Sequence, residues 1–336
     1  MTTHATPPVL TVPGATPELT ARLQDGLARV DALLRAVVDH EDPFIAEASG
    51  HLAAAGGKRF RPLLTLLAAE LGSGINDDVI AAAAGVELTH LASLYHDDVM
   101  DEADVRRGVP SANASYGNST AILVGDLLFG KASELVAGLG AEAVLIQAQT
   151  FVRLCSGQIR DDRPCPEGVD PVDYYMGVLA DKTGVLIATA GRYGVMFSGG
   201  SPETVEIMRS YGEKVGIAFQ LADDLIDIAS EAGETGKTPG IDLREGVATL
   251  AVLRAKASTD PADARLLELL SSDLSHDDAG VDEALRLLRA HPALEQARQE
   301  TYAVAREAQA LLEPLPDSDA KTALQALAMS VVERVG

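Results

Sequence analysis

From Thr16 onward, apolar residues return at steps of three and four. Leu19, Leu23, Leu27, Val30, Leu34 and Val37 form one such stripe, which predicts a helix with a single buried face. Thr16-Pro17-Glu18 stands in front of it as a capping residue followed by proline at the first helical position. A second helix start is Pro62, and a long, almost wholly apolar run predicts a helix from Asp77 to about Glu102. Further helices are predicted over 119–138, 141–160, 171–198 and 202–231, the last opened by Ser201-Pro202-Glu203 and carrying a candidate interruption. Residues 245–335 read as four or five shorter helices. No series of alternating strands and no fixed-period repeat is visible. The expectation is an all-α protein: a disordered tail over 1–15, rich in Thr and Pro, and a single large helical domain of ten or more helices over 16–336. Loops near 103–118, 161–170 and 233–246 concentrate Gly, Pro and charge, and such loops carry function more often than helices do.

Composition sharpens this picture. Aromatics are 4% of the chain and Trp is absent, so the core must be built from Ala, Leu, Val and Ile, a mix that favours helices. A net charge of −23 repels phosphate backbones and gains nothing from an anionic membrane, which argues against a nucleic-acid partner. Two cysteines, Cys155 and Cys165, make neither a disulfide framework nor a zinc site and fit a reducing cytoplasmic setting. The N-terminal residues show no basic-then-apolar signal pattern. No run of 18 apolar residues is present, so no transmembrane segment is expected.

The charge pattern points to chemistry. Asp97, Asp98 and Asp101 have the spacing i, i+1, i+4 at the polar end of an apolar helix. Like charges one helical turn apart destabilise a helix unless a cation sits between them. A solvated acidic helix end is the ordinary alternative for one cluster alone. The same spacing returns at Asp223, Asp224 and Asp227, in FQLADDLID. Two matching oxygen-only clusters that could face each other suit Mg²⁺ ions bridged by a diphosphate. Positive groups stand nearby: Arg106 and Arg107 follow the first cluster, and GGKRFRP supplies Lys58, Arg59 and Arg61. Guanidinium forks grip phosphate oxygens in pairs.

Together these stretches resemble the trans-isoprenyl diphosphate synthases, also called polyprenyl synthetases. The resemblance is carried by DDVMDEADVRRG, DDLID, GKRFRP, GNSTAILVGDLLF, DKTG, Phe219-Gln220 and GKTPGIDLREGVATL, and it runs from about residue 50 to the C-terminus. It implies an isoprenoid synthase fold, with helices around a central cavity, and three Mg²⁺ ions held by Asp97, Asp98, Asp101, Asp223, Asp224 and Asp227. Asp97, Asp101 and Asp223 would be the leading ligands, and Asp98, Asp224 and Asp227 direct ligands or their partners. Arg106 would hold an allylic diphosphate (farnesyl or geranylgeranyl). Lys58, Arg61, His90 and Arg107 would hold isopentenyl diphosphate. Lys182, Thr183 and Gln220 match positions beside the allylic group, and Lys237 matches a phosphate lysine on a closing loop with Gly233, Gly236 and Gly240. Two departures stand out: Gly157-Gln158-Ile159-Arg160-Asp161 where many relatives have Gly-Glu-x-x-Gln, and Thr249-Leu250-Ala251 where many have Thr-Leu-Pro. The implied protein is a cytoplasmic homodimer that touches membranes only peripherally, for product release.

Product length is read from the helix before the first cluster, beside which the growing chain runs in this family. Ser93, Ala92, Thr89 and Gly85 stand there. All are small, so no bulky plug is expected, although small residues also serve close helix packing. The first motif lacks the two-residue insertion of many short-chain bacterial enzymes. Both signs favour a medium or long all-trans product, similar to those of quinone side-chain synthases. A twenty-carbon geranylgeranyl product is the alternative within the class. Outside it, a terpene cyclase has no need for GKRFRP, and a metal phosphohydrolase needs a scattered His set that is not evident. A non-catalytic partner subunit would be expected to lose an aspartate motif.

Overall fold

The structure is a computed structural model that describes residues 12–230 and 239–333. Among these, the only strands are the two-residue pair β1 (Val105–Arg106) and β2 (Val109–Pro110); the rest is helix and connection. The all-α expectation holds. The described chain groups into two compact units. The first comprises Met1–Phe151, Leu186–Gly212 and Pro314–Leu327; the second comprises Val152–Val185, Glu213–Glu313 and Ala328–Gly336.

In the first unit, α1 (Pro17–Val38) starts as its sequence predicts, with Thr16 Oγ1 accepting from Leu19 N at 3.3 Å. Its buried face is Leu19, Leu23, Gly26, Val30, Leu34 and Val38. Gly26 takes the place expected for Leu27 because Leu66 and Ile75 approach within 3.2 Å of where a Cβ would stand. Residues 12–15, placed in the tail by sequence, instead form a turn. Ala15 N donates to Val12 O, and Val12 is buried. Residues 1–11 lie outside the described residues.

Helices α2 (Pro43–Ala54), α3 (Phe60–Ala69) and α6 (Asn118–Ala137) pack with α1 around α4 (Asp77–Met100). Helix α4 is small or apolar on nearly every face, as a helix buried all round must be. Between Val79 and Leu91 its only titratable side chains are Glu87 and His90. Close contact with α6 needs two glycines. A Cβ on Gly85 would lie 2.8 Å from Val136, and one on Gly125 would lie 2.4 Å from the His96 ring. Tyr95, fully buried, ties α4 to α2 by donating to Ala48 O at 2.5 Å and accepting from Leu52 N at 3.3 Å.

In the second unit, helix α8 (Pro171–Leu179) ends in a π-helical turn over Ala180–Gly184; the chain then runs on as α9 (Val185–Phe197), which belongs to the first unit from Leu186. The break thus falls in the segment predicted as 171–198. The segment given a candidate interruption, 202–231, is one unbroken helix, α10 (Pro202–Ala229). The π turn is accommodated by Gly157 of α7 (Ala141–Asp161), where a Cβ would lie 2.5 Å from Lys182 N. Such turns occur often at functional positions. Beyond α11 (Ile241–Arg244), five helices follow along the chain as expected: α12 (Leu250–Lys256), α13 (Ala264–Leu270), α14 (Asp278–Ala290) and α15 (Pro292–Leu311) in the second unit, and α16 (Asp319–Ser330), which returns to the first unit up to Leu327.

Candidate active site

The first aspartate motif ends α4. Asp101 N donates to Asp97 O at 2.8 Å, closing the last turn. Asp97 is half-buried and the Asp101 side chain is 54% exposed. One turn apart, these two carboxylates offer oxygen ligands towards solvent. Asp98 behaves differently. It is fully buried, accepts from Arg106 Nε at 2.6 Å and from Ala112 N at 3.2 Å, and so holds the following hairpin against the helix end. Arg106 also reaches Asp101 at 3.6 Å. Grouped by sequence with the metal ligands, Asp98 is an anchor for Arg106 in this structure.

The predicted basic residues of the first unit converge. Arg59 and Arg107 both have left-handed backbones, with φ of 47° and 54°. Arg59 binds Asp31 and Glu87, each at 2.9 Å, and Ala53 O at 3.0 Å. Arg107 donates to Leu52 O at 3.1 Å and to Gly56 O, lies over Gly57, and reaches Glu87 at 3.9 Å. Arg61 has a buried Nε without a hydrogen-bond partner. Burial pushes its pKa down to about 10, so it stays cationic at neutral pH. His90 is held well below the ordinary histidine range, first by burial and then by the charges of Arg61, Arg107, Arg106 and Arg59. It is a neutral imidazole among guanidinium groups. Lys58 is exposed at the edge of the same loop. An orphaned guanidinium donor in a cationic cluster is suited to an oxyanion.

In the second unit, Asp224 is buried. It accepts from Tyr175 Oη and from Gln220 Nε2, the latter at 3.0 Å. Burial raises its carboxyl to about 6, against the opposing effect of those two donors. Asp227 points elsewhere: its two oxygens accept from Ile241 N at 3.2 Å and Asp242 N at 3.1 Å, capping α11. Asp223 is half-buried. Gln220 Oε1 accepts from Thr183 Oγ1 at 3.4 Å, so the predicted Thr183–Gln220 pair is adjacent. Lys182 Nζ lies 2.7 Å from Asp161, the residue at one of the sequence departures. Lys237, Gly233 and Gly236 lie outside the described residues. Gly240 has φ of 78° at the start of α11.

The donor set fits Mg²⁺. Among the described residues no three His, Cys, Asp or Glu side chains form a ready-made metal cage. Mg²⁺ does not require one: it usually binds through one or two carboxylates, several waters and substrate phosphates. Asp97 and Asp101 supply two such oxygens at one motif, and Asp223, half-buried, is a carboxylate of the second.

Of the four chain-length positions, Thr89 lines a cavity of about 280 Å³ in the first unit. Phe129 and Ser133 of α6 and Gln147 and Phe151 of α7 form much of its remaining wall. The Phe129 and Phe151 ring centroids are 4.2 Å apart. Gly85 serves packing against Val136, and Ala92, fully buried, faces Gly125 through its backbone. Ser93 Oγ donates to His90 O at 2.8 Å. Sequence reasoning missed Phe129, Phe151, Tyr175 and Glu87. Only Glu87 left a trace, as the lone carboxylate in an apolar run.

An all-helical fold with carboxylates at a helix end, a cationic oxyanion cluster and an apolar cavity behind defines an isoprenoid synthase. The match to known proteins is specific: the polyprenyl synthetase family model covers residues 42–288, and the chain belongs to that family. It is 49% identical over 317 residues to the nonaprenyl diphosphate synthase of Mycobacterium tuberculosis (strain ATCC 25618 / H37Rv), covering 94% of each chain. Its structure resembles that of the Corynebacterium glutamicum geranylgeranyl pyrophosphate synthase complexed with calcium and isoprenyl diphosphate. There the TM-score is 0.86 and the identity 45%, over 96% of this chain and 98% of that one. The decaprenyl diphosphate synthase of Rhodobacter capsulatus also gives a TM-score of 0.86, at 35% identity over 95% and 99%.

Proposed function

We propose that this chain is a Mg²⁺-dependent trans-prenyltransferase. It joins isopentenyl diphosphate head-to-tail (1′-4) to an allylic diphosphate and extends it to an all-trans polyprenyl diphosphate of medium or long chain, for a quinone side chain. The observation that carries this reading is the ordering along α4: Asp97 and Asp101 at its end, His90 and the arginine cluster within two turns, and Thr89 on an apolar cavity behind them.

Bound Mg²⁺ supplies the positive charge that stabilises the departing diphosphate. Asp97, Asp101 and Asp223 would hold it, with Asp98, Asp224 and Asp227 as further ligands or as anchors of the surrounding chain. Arg106, oriented by Asp98, faces the allylic diphosphate. Lys58, Arg61, Arg107 and neutral His90 hold the diphosphate of the isopentenyl group. The Thr183 hydroxyl and the Gln220 amide carbonyl would offer oxygens to the allylic cation, and Lys182 and Lys237 would meet phosphate. The released diphosphate takes the proton lost after the double bond attacks. No side-chain nucleophile is required.

We further propose that 16–336 acts as one catalytic domain. The same proposal takes the protein as cytoplasmic and homodimeric, with a second copy covering the exposed Ile122, Leu123, Val144 and Leu145 of α6 and α7. No described helix is long and apolar enough to cross a membrane. The modest cavity and its Phe129–Phe151 wall favour the second reading, a twenty-carbon product. Mass spectrometry of products from the purified chain, Mg²⁺, isopentenyl diphosphate and farnesyl diphosphate decides. A series beyond twenty carbons supports the first reading, a stop at twenty supports the second, and no product with this chain alone supports a partner-subunit role.

A further inference from the structure

A buried carboxylate inside an anion-binding cluster opposes the anion, so its presence needs a reason. Glu87 is 2% exposed and sits at the centre of the cationic cluster. It receives Arg59 at 2.9 Å and Arg107 at 3.9 Å. These two arginines come from different loops, 55–59 before α3 and the hairpin turn at 107–108, and both have left-handed backbones. Each loop carries residues assigned to a diphosphate. Arg59 is also pinned by Asp31 and Ala53 O, and Arg107 by Leu52 O and Gly56 O. Neither guanidinium is left pointing freely. Arg61, by contrast, keeps an unsatisfied Nε, and the charge of Glu87 is the strongest attraction acting on it. Without Glu87, three guanidiniums and a histidine would face one another at close range, and like charges would push the two loops apart.

We infer that Glu87 is the positioning residue of the isopentenyl diphosphate subsite: it staples the GGKRFRP loop to the hairpin after the first aspartate motif, so that Arg61, Arg107 and Lys58 present a preformed cradle. This rests on the proposed assignment of those residues to that substrate. Preorganisation of the cradle outweighs the repulsion between Glu87 and the bound anion.

The sign of one substitution tests this. In the full chain, Glu87→Gln keeps the shape and removes the charge. Binding of inorganic pyrophosphate without metal is measured by calorimetry, and steady-state constants are measured for each diphosphate. The expected result is pyrophosphate binding weakened about tenfold or more, in line with loss of an orienting partner, and KM for isopentenyl diphosphate raised to match. The allylic KM and kcat stay within about twofold. Pyrophosphate affinity that is unchanged or tighter overturns the inference, because Glu87 then only offsets charge. A parallel rise of both KM values with a drop in melting temperature also overturns it, as a general packing role. Should E87Q not fold, Glu87→Asp, which keeps the charge but retracts it by one methylene, is expected to weaken pyrophosphate in the same direction, and no weakening overturns the inference. If the unmodified chain shows no condensation, the proposed function fails, while the pyrophosphate arm still decides the role of Glu87.

Discussion

If the prenyl tail runs beside α4, filling the cavity at Thr89 shortens the product. Thr89 is 2% exposed, and its hydroxyl donates to Gly85 O at 2.9 Å and accepts from Gln147 at 3.5 Å. Thr89→Phe directs a ring into the space of about 280 Å³ between α4, α6 and α7. Thr89 stands eight residues before Asp97, which is about 12 Å along the helix at roughly 1.5 Å per residue. An extended isoprene unit spans about 5 Å, close to one helical turn. The plugged site therefore holds between two and three units, roughly the farnesyl chain. Each further unit left outside forfeits burial of five carbons, about 4 kcal/mol at ~0.8 kcal/mol per carbon. That is on the order of a thousandfold in affinity, so the stop should be sharp. With farnesyl diphosphate and isopentenyl diphosphate, mass spectrometry should show T89F ending at one addition. Thr89→Val, which removes the hydroxyl and keeps the shape, should retain the wild-type length. A folded T89F that still elongates farnesyl diphosphate beyond one addition would refute the reasoning, because the tail would then lie elsewhere.

Other consequences are equally concrete. Asp97→Asn and Asp101→Asn should each lower kcat at least a hundredfold, about 2.7 kcal/mol of transition-state stabilisation. Chelation of Mg²⁺ should abolish turnover, and both effects are read in the same condensation assay. Gly125→Ala places a methyl 2.4 Å from the His96 ring and should cost about 1–3 kcal/mol in denaturant unfolding; an unchanged midpoint would mean that α4 and α6 separate freely. Asp224 has a folded pKa of about 6, above its ordinary 3.8, so its ionisation opposes folding. The stability it favours is complete below pH 4 and lost as pH rises to 6, a difference of about 3 kcal/mol at ~1.4 kcal/mol per pH unit. In metal-free protein, the stability of Asp224→Asn relative to wild type should therefore improve by about that much between pH 4 and pH 8. A pH-independent difference would contradict this. Tyr95→Phe should cost about 1 kcal/mol by removing the buried hydroxyl's hydrogen bonds to the Ala48 carbonyl and the Leu52 amide, and a thermal melt checks it.

Local periodicity carried much of the fold. The steps of three and four in α1, the Pro-started ends of α1 and α10, and the five short C-terminal helices were all legible, because each follows from capping and from burying one helical face. The spacing of the aspartates was equally plain, since i and i+4 fix one face of any helix. Finer register was not legible. Gly26 rather than Leu27 faces the core, because the depth of the groove under α1 is set by Leu66 and Ile75. The interruption expected in 202–231 is absent, and the break instead falls at 180–184, where α7 comes close at Gly157.

Residue types and spacings by themselves determined that this chain is helical, that its acids come in two matched sets, and that basic loops accompany them. Only the tertiary structure decided which member of each set turns inward. Asp98 meets Arg106, Asp224 meets Tyr175 and Asp227 caps α11, while Asp97 and Asp101 remain on the outer turn. It also decided that Glu87 gathers two arginines, and that Phe129 and Phe151 rather than α4 alone wall the cavity. The division is physical. A helix repeats within a few residues, so its pattern is written locally. The partner of a buried charge and the wall of a cavity are supplied by segments tens of residues away, and nothing in the local pattern records which segment arrives.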